Sequence, residues 1–325
     1  MSSKPGGGLP AERLRTSVGS LGLPNPVMTA AGTAGHGAEL SSYFDLSALG
    51  AVVVKSLAVF AWPGNPSPRV CPVPGGMLNS VGLQGPGLEA WARDELPQLR
   101  RARARVVVSV WGRSVSDFAA AAAFVARAAA EPDGAAIVAL EANVSCPNVE
   151  DRSRMFAHSS TATADAVAAC CEAVQGRAIP VWAKLSPNTP DLVEVAGAAV
   201  AAGAESLTLV NTLLGLMIDT STRRAALGAG GGGLSGAAMH AVALRAVHDC
   251  RAAFPAAGIV GVGGVSDGEG ALRMLMAGAN GLQVGTATLA DPRAPVRILE
   301  ELSLRLAEEG FASPGEAVGA ALVGS

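Results

Sequence analysis

The sequence is poor in aromatic and charged residues, and it contains no long apolar run. Aromatic residues make up 4% and charged residues 16% of the 325 residues, although 50% of the chain is hydrophobic. No stretch of about 18 uncharged apolar residues is present, so a transmembrane helix is not expected. Residues 1–9 lack the apolar core of a signal peptide, which makes the cytoplasm the expected compartment.

The low net charge and the few cysteines exclude further classes of protein. A formal charge of −3 at pH 7 gives no reason to expect nucleic acid or an anionic membrane as a partner. Five cysteines, an odd number without metal-ligand spacing, fit a reducing interior and predict no metal site. We interpret four of them as packing or surface residues: Cys71, Cys170, Cys171 and Cys250.

The chain does contain a repeated strand–turn–helix pattern. Short β-branched apolar runs recur, each followed by a polar or glycine turn and by an alanine-rich segment of helical character. The eight strand candidates are residues 27–31, 51–55, 106–110, 136–143, 180–185, 206–211, 258–262 and 281–285. The helical candidates between them include residues 117–130, 163–174, 192–202, 237–254 and 268–276.

Eight strand–helix units predict an α/β fold, a (β/α)8 TIM barrel that forms a single domain. We place the barrel at residues 16–312, between a flexible N-terminal segment at 1–15 and a C-terminal tail at 313–325. The residues 62–87, rich in proline and glycine, are predicted to form a long loop after the second strand. An open doubly wound sheet is the alternative, but its glycine fingerprint is missing after the first strand.

The fourth predicted strand is followed by the sequence NVSCPN, residues 143–148, which sets one thiol between two carboxamides. Cys146 could act there as a general base or nucleophile while Asn143 and Asn148 hold a polar planar ligand. Taken alone, the segment fits a buried, inert cysteine beside turn-forming asparagines better. The rest of the chain favours the functional interpretation, because more polar residues fall at the C-terminal ends of predicted strands. They are Lys55, Asn79, Lys184, Asn211 and Thr212.

Three glycine-containing turns fall on the same side of the predicted barrel. Residues 231–236 follow the sixth strand, residues 261–264 the seventh and residues 285–286 the eighth. Consecutive residues without side chains let backbone N–H groups converge on an anion, and barrels often bind phosphate after strands seven and eight. Ordinary turn chemistry explains one such turn, but three on one rim predict a phosphorylated ligand.

Further motifs follow one another in order along residues 24–292. They are VKS at 54–56, PGNP at 63–66, PRV at 68–70, GMLNSVGLQ at 76–84, NVSCPN at 143–148, KLSPN at 184–188, NT at 211–212, and the glycine turns at 232–236 and 261–264. Together these motifs resemble the dihydroorotate dehydrogenases, flavin enzymes of pyrimidine biosynthesis. Cys146 stands where the membrane-linked class 2 enzymes carry serine, and no N-terminal membrane-binding extension is present, so the resemblance points to the soluble class 1. The GMLN and LQ signatures look most like its NAD-linked branch, class 1B, whose barrel subunit works with a separate iron–sulfur and FAD subunit.

The resemblance implies an activity and a role for each matching residue. The activity is FMN-dependent oxidation of (S)-dihydroorotate to orotate, with Cys146 taking the proton from C5 and FMN N5 receiving hydride from C6. It also implies a homodimer. Implied substrate-binding residues are Lys55, Asn79, Ser80, Val81, Gly82, Leu83, Asn143, Asn148, Asn211 and Thr212. Implied FMN-binding residues are Ala31, Lys55, Ser56, Ser109, Asn143, Lys184, Val210, Gly236, Gly263, Gly264, Gly285 and Thr286.

The chain departs from the family pattern at several positions. Ser109 stands where relatives usually carry a flavin-contacting asparagine, and Gly85 also occupies a usual asparagine position. Ala31 replaces a serine near the flavin, and Ala142 replaces a leucine. Residues 150–159, the predicted lid, are more charged than expected. These departures bear on the identity of the substrate and on the docking of a partner subunit more than on the flavin chemistry.

Two other functions stay open at the level of sequence. The first is a related FMN oxidoreductase that acts on another dihydropyrimidine or on a small unsaturated acid. The second is a phosphate-binding barrel lyase in which Lys184 or Lys55 forms a Schiff base. An asparagine-rich site argues mildly against the lyase, because a lyase lysine needs a low-dielectric pocket. The electron acceptor, whether NAD through a partner subunit, fumarate or oxygen, is not specified by these residues.

Overall fold

The computed structural model describes residues 8–131, 136–145 and 155–322. Cys146, Asn148 and the first part of the predicted lid, residues 150–154, lie outside the described residues. The strands are β1 (Thr16–Val18), β2 (Leu21–Leu23), β3 (Val27–Thr29), β4 (Val52–Val53), β5 (Val70–Val73), β6 (Gly76–Asn79), β7 (Val106–Val110), β8 (Ile137–Asn143), β9 (Val181–Leu185), β10 (Ser206–Leu209), β11 (Leu213–Gly215), β12 (Ile218–Asp219), β13 (Arg224–Ala225), β14 (Gly232–Ser235), β15 (Gly258–Val262) and β16 (Gly281–Val284).

The described α-helices follow most of the barrel strands and cover the outside of the barrel. They are α1 (Leu88–Asp94), α2 (Leu96–Arg101), α3 (Val115–Ala130), α4 (Ser160–Ala173), α5 (Leu192–Ala201), α6 (His240–Ala253), α7 (Gly268–Ala277), α8 (Thr286–Ala290), α9 (Ala294–Glu308) and α10 (Pro314–Ala317). The five helical candidates of the sequence are confirmed as α3 to α7. No helix among the described residues has the length and apolar character to span a bilayer.

Eight parallel strands form the central sheet, in the order β3-β16-β15-β10-β9-β8-β7-β4. A parallel bridge between Met28 and Ala51 joins the two ends of this order and closes the sheet into a barrel. All eight strand candidates are therefore confirmed, and so is the (β/α)8 fold. The open doubly wound sheet is excluded because such a sheet keeps two free edges.

Burial on both faces explains why these strands read as continuous apolar runs. Every residue of Val106–Val110 and of Gly258–Val262 is buried, because helices cover the outer face and side chains fill the inside. The helices pack through small residues. In α3, Ser114 accepts a hydrogen bond from the N–H of Asp117 as the N-cap, and the helix buries Phe118 together with several alanines.

The stretch predicted as a long loop, residues 62–87, contains a β-hairpin instead. β5 and β6 pair with each other, and β6 also pairs with β14, which pairs with β11. This antiparallel four-stranded sheet stands above the barrel. Gly75, at φ +74°, forms the hairpin turn, and Pro72 is tolerated because β5 is an edge strand. The long connection after the second barrel strand is present as predicted, but the sequence did not reveal the hairpin within it, because proline and glycine outweighed the short apolar pattern.

The chain ends add structure outside the barrel. Residues Ala11–Leu14 form a 3-10 helix, and the β1–β2 hairpin packs Val18 and Leu23 against the apolar bottom of the barrel interior. Beyond residue 312, α10 begins at Pro314. The barrel boundaries at 16 and 312 stay a prediction.

Candidate active site

The described residues enclose a cavity of about 810 Å³ at the C-terminal ends of the barrel strands. Small-molecule sites typically have ~300–1,000 Å³. The antiparallel sheet β11-β14-β6-β5 forms one wall of the cavity. The predicted site residues that line the cavity are Ala31, Lys55, Ser56, Asn79, Ser80, Val81, Gly82, Leu83, Asn143, Lys184, Val210, Asn211, Thr212, Gly236, Gly263, Gly264, Gly285 and Thr286.

Three predicted site residues are not among those that line the cavity. Cys146 and Asn148 lie outside the described residues. Ser109 is fully buried in β7, and its Oγ is 2.9 Å from the Oγ of Ser56, which does line the cavity. Ser109 therefore reaches the cavity through another hydroxyl, because serine is shorter than the asparagine usual at this position.

The barrel interior has an apolar layer with a polar layer above it. In β7, β8 and β9 an apolar inward residue is followed two positions later by a polar one, which the period of a strand puts on the same face. The apolar members are Val107, Ala139 and Trp182. The polar members are Ser109, Glu141 and Lys184. The polar layer forms the floor of the cavity, since Lys184 lines it.

Glu141 is at the centre of this polar layer, with no exposed surface. Its Oε1 accepts a hydrogen bond from Ser109 Oγ at 3.1 Å, and its Oε2 accepts from Thr208 Oγ1 at 3.1 Å and from Gln283 Nε2 at 2.8 Å. The Nζ of Lys184 is 3.8 Å from Oε1. These partners compensate the desolvation of a carboxylate inside the barrel.

A chain of hydrogen bonds connects the carboxamides of the cavity. Asn211 Nδ2 donates to Ser145 Oγ at 2.7 Å, and Ser145 Oγ donates to Asn143 Oδ1 at 2.6 Å. Asn143 Nδ2 then donates to Ser56 Oγ at 3.0 Å, and Ser56 contacts Ser109. The amide of Asn143, which is 5% exposed, therefore has a fixed orientation before any ligand binds.

Two further asparagines stabilise the wall of the cavity. Asn79 Nδ2 donates to the carbonyl of Gly233 at 3.3 Å, which links β6 to β14. Asn188, from the KLSPN motif, donates through Nδ2 to the carbonyl of Thr212 at 2.9 Å and accepts from the N–H of Leu214 at 2.8 Å. Asn188 therefore holds the segment that carries Asn211 and Thr212 in place.

Both lysines predicted at the site line the cavity. Lys184 is 5% exposed, Lys55 is half-buried, and the backbone N–H of Lys55 donates to the carbonyl of Gly35 at 3.0 Å. Among the described lining residues these two lysines are the charged side chains. The cavity therefore favours an anionic ligand.

The glycine turns leave no room for side chains on one side of the cavity. Gly236, Gly263 and Gly264 have φ values of +102°, +141° and +70°, which L residues with side chains rarely adopt. A Cβ on Gly264 would lie 2.9 Å from the carbonyl oxygen of Gly236. Thr286 Oγ1, at the start of α8, donates to Ser235 Oγ at 2.8 Å and joins the segment after the last barrel strand to this region. The backbone is thus directly accessible to a phosphate group.

The family departures at residues 31 and 85 have visible consequences. Ala31 lines the cavity without a hydroxyl. A Cβ on Gly85 would lie 3.5 Å from His36 Nε2, which is buried and has no hydrogen-bond partner among the described residues. Burial and the nearby charge of Lys55 lower the pKa of His36, although Glu39 acts in the opposite sense.

Sequence reasoning missed several residues that shape the site. Met155, in the described part of the predicted lid, lines the cavity and is 8% exposed. Glu141, Thr208 and Gln283 were also missed. Their signal was a polar residue inside a mostly apolar strand, which a buried parallel strand does not tolerate without partners.

A closed parallel barrel with a cationic, amide-rich cavity at the C-terminal ends of its strands is the arrangement of a (β/α)8 enzyme. A model of the family "Dihydroorotate dehydrogenase" matches residues 13–306, and this chain belongs to that family.

Individual relatives support the same assignment at similar levels of identity. The chain is 42% identical over 306 residues to a protein of Desulforudis audaxviator, covering 94% of this chain and 96% of the relative. It is 43% identical over 283 residues to one of Alkaliphilus oremlandii, covering 87% and 90%, and 41% identical over 307 residues to one of Trichlorobacter lovleyi, covering 94% and 98%. All three relatives are named dihydroorotate dehydrogenase B (NAD(+)), catalytic subunit.

Proposed function

We propose that this chain oxidises (S)-dihydroorotate to orotate, with FMN as its resident cofactor. The observation that carries the proposal is the convergence of two lysines, four asparagines and the glycine turns on one cavity of about 810 Å³. FMN, when bound, supplies the acceptor for the hydride of the substrate. The relatives named dihydroorotate dehydrogenase, similar over most of their length, support the same reaction.

The residues present fit FMN in charge and shape. Gly236, Gly263 and Gly264 would hold the phosphate through backbone N–H groups, together with Gly285 and Thr286, because the positive φ values and close packing of the first three keep side chains off this backbone. Lys184 would place its charge at the pyrimidine edge of the flavin, where it stabilises the anionic reduced ring. The remaining proposed contacts are Ala31, Lys55, Ser56, Asn143 and Val210, with Ser109 acting through Ser56.

The amides and the second lysine suit a flat anion with imide-like edges. Lys55 would bind the substrate carboxylate, and the carboxamides of Asn79, Asn143 and Asn211 would pair with the ring edges. Further proposed contacts are Ser80, Val81, Gly82, Leu83, Asn148 and Thr212. Because Asn143 and Asn211 are joined through Ser145, the substrate meets amides whose donors and acceptors are already oriented.

The reaction removes a proton from C5 and a hydride from C6 of dihydroorotate. We assign the proton to the Sγ of Cys146, which requires thiolate character near neutral pH. The support is the position of Cys146 in the chain, directly after Ser145, which lines the cavity. Lys55 and Lys184 contribute positive charge to the same cavity, which favours the anionic substrate.

We propose that the electrons leave through a separate subunit that carries FAD and an iron–sulfur centre, with NAD as the acceptor. The relatives are named catalytic subunits, which supports the existence of a partner. Val70, Leu214 and Leu289 line the cavity and are 55%, 61% and 54% exposed, so its edge is apolar and open to a partner. We expect the purified chain to reduce a dye with dihydroorotate but not NAD. Reduction of NAD by the chain alone would contradict the requirement for a partner subunit. The homodimer stays a prediction.

An anaerobic titration tests the reaction itself. Dihydroorotate is added to the FMN-loaded protein, and the flavin absorbance is followed. We expect bleaching in the wild type and at least ~100-fold slower bleaching in Cys146→Ala, because a positioned base typically contributes ~10² to 10⁴. Cys71→Ala is the matched control, since Cys71 is half-buried in β5 and does not line the cavity, and it is expected to bleach like the wild type.

Two outcomes of this titration would contradict the proposal. Absorbance that dihydroorotate leaves unchanged, while another dihydropyrimidine or a small unsaturated acid bleaches it, would assign a different substrate. A colourless protein whose Lys184 or Lys55 is trapped by borohydride would assign the lyase reaction.

A further inference from the structure

The buried carboxylate of Glu141 has no role in the reaction described above. It lies beneath the cavity, with no exposed surface, between the apolar Ala139 and the cavity-lining Asn143 of the same strand. Placing a carboxylate in the barrel interior is costly unless it is fully compensated. Its four partners come from four different strands, β7, β9, β10 and β16, so the polar floor is assembled around this one group.

The hydrogen bonds that reach Glu141 from the cavity all run in one direction. Ser109 donates its proton to Glu141, so Ser109 Oγ must accept from Ser56. Ser56 Oγ in turn accepts from Asn143 Nδ2. A hydroxyl has one proton, and for this reason the acceptor at the end of the chain sets the direction of every bond before it.

The same carboxylate also faces the cation of the cavity. Lys184 Nζ lies 3.8 Å from Glu141 Oε1, and the two side chains are 6% and 0% exposed. Charges shielded this well from solvent act on one another, and on a bound ligand, with little screening by salt. Glu141 therefore offsets part of the positive potential that Lys184 would apply to a ring bound against it.

We propose that Glu141 is a positioning residue with two effects, both of which rest on the proposed FMN chemistry. It fixes the amide of Asn143 through Ser109 and Ser56, and it lowers the preference of the site for the anionic reduced flavin by opposing Lys184. Replacing the carboxylate by the neutral amide of glutamine removes the charge without opening a cavity, and keeps an oxygen that can accept from Ser109.

The first test is the midpoint potential of bound FMN in Glu141→Gln, measured by spectroscopic titration against reference dyes. A ring in contact with Lys184 would lie within roughly 10 Å of the carboxylate, a distance at which one charge in a protein changes the preference for an anion by about tenfold. For a two-electron couple, tenfold corresponds to a rise of about 30 mV. Thr208→Val is the matched control, because it removes one hydrogen bond to Glu141 and keeps the charge. Its potential should match the wild type.

The second test separates the chain of hydrogen bonds from the charge. Ser109→Ala cuts the connection between Glu141 and Asn143 but leaves the carboxylate and Lys184 in place. We expect orotate to bind several-fold more weakly, as measured by its effect on the flavin spectrum, with a midpoint potential closer to that of the wild type than to that of Glu141→Gln. This variant also keeps the inference testable if Glu141→Gln does not fold.

The outcomes distinguish the inference from the proposed function. A Glu141→Gln potential equal to or below that of the wild type would overturn the electrostatic effect, and orotate binding unaffected in Ser109→Ala would overturn the orientation effect. Both results would leave the reaction intact, provided that dihydroorotate still bleaches the wild type. A wild type that dihydroorotate does not reduce would instead refute the proposed function.

Discussion

The most direct test of the cavity rim is a methyl group on Gly236. A Cβ at this residue would lie 2.5 Å from Gly76 Cα and 2.8 Å from the carbonyl oxygen of Gly75, so it would meet backbone and not a movable side chain. The φ of +102° adds conformational strain. Strain of about 1–3 kcal/mol and overpacking of about 1–3 kcal/mol together predict that Gly236→Ala destabilises the folded rim by roughly 2–6 kcal/mol.

Gly230→Ala is the matched control for this prediction. Gly230 has a φ of +88°, but a Cβ there meets nothing within 4 Å, and the residue does not line the cavity. This variant carries the strain of about 1–3 kcal/mol without the clash. The difference in stability between the two variants therefore measures the effect of the close approach of β6 to the turn after β14.

The assay is thermal unfolding together with the affinity for FMN, measured by quenching of flavin fluorescence. Because the clash displaces the backbone that would hold the phosphate, we expect FMN to bind at least ~10-fold more weakly to Gly236→Ala than to Gly230→Ala, which corresponds to about 1.4 kcal/mol. Equal FMN affinity in the two variants would refute the assignment of this turn to the phosphate.

Three further predictions follow from burial in the described residues. Burial raises the pKa of Cys170 and raises that of Cys250 to about 12, so both thiols should resist alkylation at pH 7 until the protein is unfolded. Peptide mass mapping would show this, and modification of the native protein at either site would contradict it. The pKa of His36 is lowered in the folded state, so the unfolded chain binds more protons just below pH 6.5. The wild type should therefore lose stability relative to His36→Phe as the pH falls through this range. Melting temperatures of the two proteins that change in parallel with pH would refute this. Arg251 donates to four backbone carbonyls and to one amide oxygen, so Arg251→Met should lower the free energy of unfolding, measured in urea, by about 3–5 kcal/mol. Arg245→Met, on the exposed face of the same helix, should lower it by under about 1 kcal/mol.

The barrel itself could be predicted because its strands are buried on both faces. Runs such as Val106–Val110 and Gly258–Val262 are almost entirely apolar, so the sequence shows them as buried strands. The turn and the helix that follow each run complete the strand–helix unit. The polar residues Lys55, Asn143 and Asn211 could be assigned to one site for the same reason, since parallel strands in a barrel end at one rim.

The cavity wall and the polar floor could not be predicted in the same way. β5 and β6 are short, β5 contains Pro72, and β6 gains its second partner, β14, from a distant part of the chain. The pattern around residues 70–79 therefore looked like a loop. Glu141 is one charged residue in a mostly apolar strand. Its role depends on partners from four other strands, and periodicity within a single strand cannot reveal them.

The wall of the cavity is built from two excursions of the chain that leave the barrel at different strands. Residues 70–79 come after the second barrel strand and residues 213–235 after the sixth; each contains a strand pair, and the pairing of β6 with β14 joins the two into one sheet. Neither half can be exchanged between relatives on its own without losing its register against the other. In a chimaera, ligand selectivity and the assembly of this wall would therefore be inherited together, while the barrel beneath would tolerate the exchange.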